Sequence, residues 1–120
     1  MALLLPTSTV RSYSLNAGSN NTVKREMASL TKIMTCVCVV DLCGKYAIDM
    51  GNTFFKITTW SASINGTSAN LIANFWISVE DLLYGLMLPS GNDAALVLAE
   101  NMGAVLYFDR MGEHEMVEGY

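Results

Sequence analysis

The stretch "MASLTKIM", residues 27–34, places Ser29 and Lys32 three positions apart inside an apolar run. On a helix that spacing puts both side chains on one face. A serine in the first helical turn would meet the unpaired N–H groups and the positive end of the helix dipole, which favour a developing negative charge. An apolar setting lowers the pKa of a lysine by disfavouring its ammonium form, so Lys32 could act as a base toward the Ser29 hydroxyl. With ten Ser and four Lys in the chain, a chance Ser-x-x-Lys is expected at roughly one in three. The pair alone therefore leaves a surface helix open as the alternative.

A second polar set is Ser90-Gly91-Asn92, one of five Ser-x-Asn tripeptides in the chain. It stands out because the "PSGND" turn separates two apolar segments that would hold its side chains toward a cleft. His114 is the only histidine and lies among Glu113, Glu115 and Glu118. A Ser-His-Asp triad and a His-rich metal site are both disfavoured, and the sequence calls for no metal or other cofactor. Cys36, Cys38 and Cys43 are odd in number and clustered in an apolar segment. They read as small buried hydrophobes, with Cys36 and Cys38 on nearly opposite helix faces.

Three helices must position these groups. Residues 28–43 are apolar on every side, as in a helix from the middle of a domain, with Gly44 as its stop. Ser78 followed by Val79, Glu80 and Asp81 resembles a capping box. Ile77 and Leu82 are spaced as a hydrophobic staple, so a helix is expected over 79–88, ended by Pro89. A third helix is expected over 93–102, with Gly103 after it. Residues 45–77 read as irregular with a strand near 54–59, residues 1–27 as loop with a short strand over 10–15, and residues 104–120 as a tail that could form a fourth, weaker helix.

Composition narrows the function. The 120 residues are 52% hydrophobic and 15% charged, with a net charge of −4; this fits one small globular domain and argues against nucleic-acid binding. Apolar runs such as residues 36–40 are far short of the roughly 20 residues of a transmembrane span. Residues 1–9 have no basic residue ahead of a very short apolar part, a poor fit to a signal peptide. Localisation stays open. An all-round apolar helix in so short a chain also predicts an exposed apolar patch beside Ile33, Val37 and Val40, and with it self-association or a partner protein.

Longer strings carry a resemblance. "REMASLTKIMT" (25–35) resembles the active-site segment of serine-type D-alanyl-D-alanine carboxypeptidases, the low-molecular-weight penicillin-binding proteins. "GTSANL" (66–71) and "ISVEDLLYGLMLPSGNDAALVLAE" (77–100) are similar to a second block of the same family, in the same order. The signature set of that family has three parts: Ser-x-x-Lys, a Ser-x-Asn loop and Lys-Thr-Gly. The resemblance covers about residues 10–104 and implies a partial β-lactamase/transpeptidase-like fold, α+β and mainly α in this chain, as a single partial domain over 1–120. It implies Ser29 as acylated nucleophile, Lys32 as its base, Ser90 as proton relay and Asn92 as substrate-binding residue. The substrates implied are D-Ala-D-Ala-ended peptides, with β-lactams as mimics. No Lys-Thr-Gly occurs in the 120 residues. In the family that triplet lies on a strand that supplies half the oxyanion hole, so two readings follow: an acyl-enzyme hydrolase, or an inactive remnant serving as a structural or binding subunit. Asn74-Phe75 stands where the family has Gly-Asp, at a turn needing a left-handed residue that Asn tolerates.

Overall fold

The computed structural model describes residues 14, 16–24 and 27–112. A short 3-10 turn, Ala28–Leu30, leads into helix α1, Thr31–Lys45. Strand β1 (Phe54–Lys56), a one-turn helix α2 (Thr59–Ala62) and strand β2 (Trp76–Ser78) follow, and then helices α3 (Val79–Met87) and α4 (Asn92–Met111). The chain is thus mainly helical, with one two-stranded antiparallel sheet in which Phe55 pairs with Ile77 and Lys56 with Trp76.

Helix α3 starts where its sequence says it should. The Ser78 hydroxyl accepts the Asp81 N–H at 3.1 Å and donates to the Asp81 carboxylate at 2.9 Å. Asp81 is too short to return to the Ser78 backbone as a Glu would, and bonds the hydroxyl instead. Leu82 and Leu86, one turn apart, are fully buried with Val97 and Leu98 of α4. Gly85 eases the approach of the segment before β2: a Cβ there would press on the Ala69 Cβ at 3.1 Å, while it would meet that of Ala94 in α4 at an ordinary 3.5 Å. The α3–α4 pair is the centre of the core, and α1 lies against both.

Several expected boundaries move. Helix α1 passes through Gly44, which has open space around it, and stops at Tyr46. The left-handed residue is Ala47 (φ 52°), and the Ile48 N–H reaches back to the Cys43 carbonyl at 2.9 Å, closing the end in a Schellman pattern. Helix α4 likewise continues through Gly103 to Met111 and ends at Gly112, whose φ is 80°. A glycine costs a helix about 1 kcal/mol relative to alanine, which a long run of good helix formers overrides. There is no separate fourth helix over the described part of the tail. Strand β2 lies in a segment whose sequence reads as irregular, and β1 is shorter than the 54–59 expected. Of the strand expected over 10–15 only Ser14 is described, without regular structure.

The burial of α1 follows the exposed patch expected beside Ile33 and Val37, while Val40, placed in the same patch, is half-buried. Only Val39 and Cys43 are buried along it, whereas Leu30, Ile33, Met34 and Val37 are exposed. Cys43 is buried and Cys36 half-buried, and burial pushes both thiols up. Cys38 is exposed, against expectation, because it faces away from Cys36 toward the open side between α1 and α4. The physical reason is coverage: α3 and α4 together shield one face of a helix that is apolar on all of them. Among the described residues no helix is long and apolar enough to cross a membrane.

Truncation should read this asymmetry directly. Leu82→Ala, at a fully buried site, should cost about 2–5 kcal/mol. Ile33→Ser, on the exposed face of α1, should stay within about 0.5 kcal/mol of the parent. Urea unfolding of both variants checks the pair of values.

Candidate active site

Ser29 sits in the 3-10 turn ahead of α1, one residue after Ala28, which is itself left-handed at φ 47°. The turn is fastened by the Leu30 N–H on the Met27 carbonyl at 3.0 Å and by the Thr31 hydroxyl on the Ala28 carbonyl at 2.9 Å. Lys32 follows in the first turn of α1, and its Nζ donates to the Ser29 Oγ at 3.3 Å. The two side chains therefore meet as their spacing predicts. The apolar enclosure expected around them is not supplied by the described residues: Ser29 is exposed and Lys32 half-buried.

Ser90 lies in the turn between α3 and α4, and Asn92 is the first residue of α4. Ser90 adopts a left-handed φ of 57°, an unusual conformation for a serine that is kept only where its surroundings over-determine it. Here they do. The Thr67 hydroxyl donates to the Ser90 carbonyl, and the Gly91 N–H donates to the Gly85 carbonyl at 3.0 Å. The Asn92 N–H donates to the Thr67 carbonyl at 2.8 Å, and its side-chain Nδ2 to the Asn65 carbonyl at 3.0 Å. Each pair of site residues is thus held by its own neighbourhood, and among the described residues no hydrogen bond joins Ser29 or Lys32 to Ser90 or Asn92. His114 lies outside the described residues.

One residue of this region carries no distinctive mark in the sequence. Asp93 is buried to 1% exposure beneath the turn. It accepts the Ser68 hydroxyl at 2.8 Å and the N–H groups of Ala69, Leu71 and Ala94 at 2.9, 3.1 and 2.9 Å. Burial alone would push its carboxyl up. The Ala69 and Leu71 N–H groups, the Ser68 hydroxyl and the Ala94 N–H outweigh that and hold it below the usual aspartate range. The available signal is an acid in the first turn of a helix directly after a polar turn, which reads equally well as ordinary dipole complementation. Gly91 has a similarly local reason: a Cβ there would lie 2.6 Å from Asp93 Oδ1, 2.8 Å from the Gly85 carbonyl oxygen and 2.9 Å from the Ala69 nitrogen.

With this geometry in place, comparison with known proteins decides the family. Residues 14–108 match the D-alanyl-D-alanine carboxypeptidase family. This chain belongs to that family. It is 34% identical over 107 residues to a D-alanyl-D-alanine carboxypeptidase of a Streptomyces species, an alignment covering 79% of this chain and 35% of the relative. It is 31% identical over 81 residues to the D-alanyl-D-alanine carboxypeptidase DacF of Bacillus subtilis, covering 68% of this chain and 21% of the relative. Among solved structures it is similar to the D-alanyl-D-alanine carboxypeptidase DacD from Francisella tularensis, with a TM-score of 0.61 and 36% identity over 64% of this chain and 18% of that one. The chain spans about a third or less of these relatives' length. Its mainly helical architecture is consistent with part of a transpeptidase-like fold. The turn substitution noted in the sequence also works: Asn74 is left-handed at φ 71°, and its N–H donates to the Ile57 carbonyl at 2.8 Å.

Two measurements follow from the turn. Gly91→Ala, which would press on backbone atoms, should cost about 1–3 kcal/mol, while Gly103→Ala in open space should be neutral or stabilising by up to about 1 kcal/mol. The Asp93 carboxyl is depressed in the folded state, so its stabilisation is complete above the ordinary aspartate value of about 3.9 and is lost as pH falls through the lower folded value. Urea midpoints measured from about pH 5 down to about pH 3 should therefore fall, and fall less steeply in Asp93→Asn.

Proposed function

We propose that this chain carries the acylating half of a serine-type D-alanyl-D-alanine carboxypeptidase site. Ser29 attacks the carbonyl of a D-Ala-D-Ala-ended peptide, or of a β-lactam that mimics one. Lys32 takes the serine proton as the covalent ester forms. Ser90 passes a proton to the leaving amine, and Asn92 hydrogen-bonds the substrate. The observation that carries the reading is the 3.3 Å contact of Lys32 Nζ with Ser29 Oγ at the start of α1, close to the reach over which a nucleophile meets its base. Family membership supports the chemistry.

Full activity needs more than these 120 residues supply. They contain no Lys-Thr-Gly, and one missing oxyanion donor is worth about 3–4 kcal/mol. A second reading, a non-catalytic structural or binding subunit, is favoured by the exposed apolar side of α1, where Leu30, Ile33 and Met34 would need a cover. A stable monomer in sedimentation, with no dye-binding apolar surface, would count against that second reading.

Intact-mass spectrometry after incubation with a labelled penicillin separates the two. The chain is tested alone and co-expressed with the C-terminal part of a complete family member. In whichever form acylates, Ser29→Ala and Lys32→Arg should abolish the adduct, the latter because arginine keeps its proton at ordinary pH. Ser90→Ala should slow acylation without preventing it, and His114→Ala should leave it unchanged. Acylation of Lys32→Arg at the parent rate would remove Lys32 as the base. No adduct in either form would favour the subunit reading.

A further inference from the structure

The Ser90–Asn92 turn is strained at one residue and exposes part of its side chains, so something firmer must fix its geometry. Three contacts reach it from residues 65–67: the Thr67 hydroxyl on the Ser90 carbonyl, the Thr67 carbonyl on the Asn92 N–H, and the Asn65 carbonyl on the Asn92 Nδ2. That segment has no regular secondary structure of its own between α2 and β2. Its next residues, Ser68, Ala69 and Leu71, all donate to the buried Asp93 carboxylate, at 2.8, 2.9 and 3.1 Å. Residues 65–71 therefore grip Asp93 with one end and Ser90 and Asn92 with the other.

We propose that Asp93 is a positioning residue for the Ser90–Asn92 turn, acting through residues 65–71 to set the direction of the Asn92 side-chain amide. The proposal rests on the reading of Asn92 as a substrate-binding group. The carboxylate matters as an acceptor at both oxygens: Oδ1 takes the Ala69 and Ala94 N–H groups, and Oδ2 takes the Ser68 hydroxyl and the Leu71 N–H. An asparagine of the same shape has one acceptor oxygen and must turn an NH2 group toward donors, so part of the grip is lost without a change of volume. The segment would then relax, and the Asn65 carbonyl that holds one Asn92 N–H would move with it. The remaining N–H and the carbonyl oxygen of the Asn92 amide would lose their fixed direction.

The test is amide NMR with hydrogen exchange on the full 120-residue chain, parent against Asp93→Asn. Exchange at Ala69 and Leu71 should quicken about tenfold or more, and the Asn92 side-chain amide pair should shift, while Val39 and Cys43 in α1 stay within about threefold. Uniform acceleration everywhere with the Asn92 pair unmoved would mean that Asp93 serves stability alone, and would overturn the proposal. If Asp93→Asn fails to fold, acid titration of the parent decides. The Ala69 and Leu71 N–H signals and the Asn92 side-chain pair should then move in one common transition below the usual aspartate range, and a fixed Asn92 pair would overturn the proposal. Penicillin acylation, measured in the co-expressed form, should be slower in Asp93→Asn. If Asn92 moves in the variant but no form of the protein acylates, the positioning role stands and the catalytic reading of the turn falls.

Discussion

A carboxylate removed from water must be given donors by the protein, or it will protonate or pull the fold open. Among the described residues Asp93 is the carboxylate under that constraint, and much of the surrounding backbone is arranged to meet it. Its four donors come from the start of its own helix and from a segment more than twenty residues earlier. The path of that segment, the absence of a side chain at Gly91 and the close approach at Gly85 are all parts of one solution. Replacing any of them with a larger group moves backbone atoms that Asp93 needs near by.

Parts of this are legible in the sequence and parts are not, for physical reasons. The start of α3 is legible because Ser78 and Asp81 act on each other locally, within one turn. So is the Ser29–Lys32 contact, which helical spacing alone nearly guarantees. The turn at Asn74 is legible because few residue types accept a positive φ. The glycines mislead: Gly44 and Gly103 look like helix stops, but Ala47 and Gly112 end the helices, since a cap depends on which carbonyls find partners and not on glycine alone. Strand β2 escapes a sequence reading because three residues give too short a pattern, and it exists only through its pairing with β1. Asp93 escapes it for the same kind of reason: its donors at 68–71 are distant in sequence, and no local rule brings them to it.

The exposed side of α1 has the same origin seen from the other direction. A sequence apolar on every face states that a helix is to be surrounded, but not by what. In this chain α3 and α4 surround it on one side. The relatives are about three or more times longer than the aligned part of this chain. The contact of Lys32 with Ser29 survives this because it is made within a single turn, whereas the apolar setting that would tune a lysine base is a property of tertiary cover. Contact and environment thus depend on different parts of a structure: the first is local to one turn, and the second is not supplied by the described residues.

The two halves of the candidate site also differ in how the chain places them. The Ser90–Asn92 turn belongs to the connection between α3 and α4, residues 88–91. Helix α1, with Ser29 ahead of it, is joined to α3 through residues 46–78. On the logarithmic dependence of closure entropy on loop length, the longer connection costs about 2 kcal/mol more to close. The Ser90–Asn92 turn is therefore delivered with its own hairpin at small entropic cost. Ser29 arrives ahead of a separate helix, whose docking must draw on apolar contacts that here cover only one of its sides.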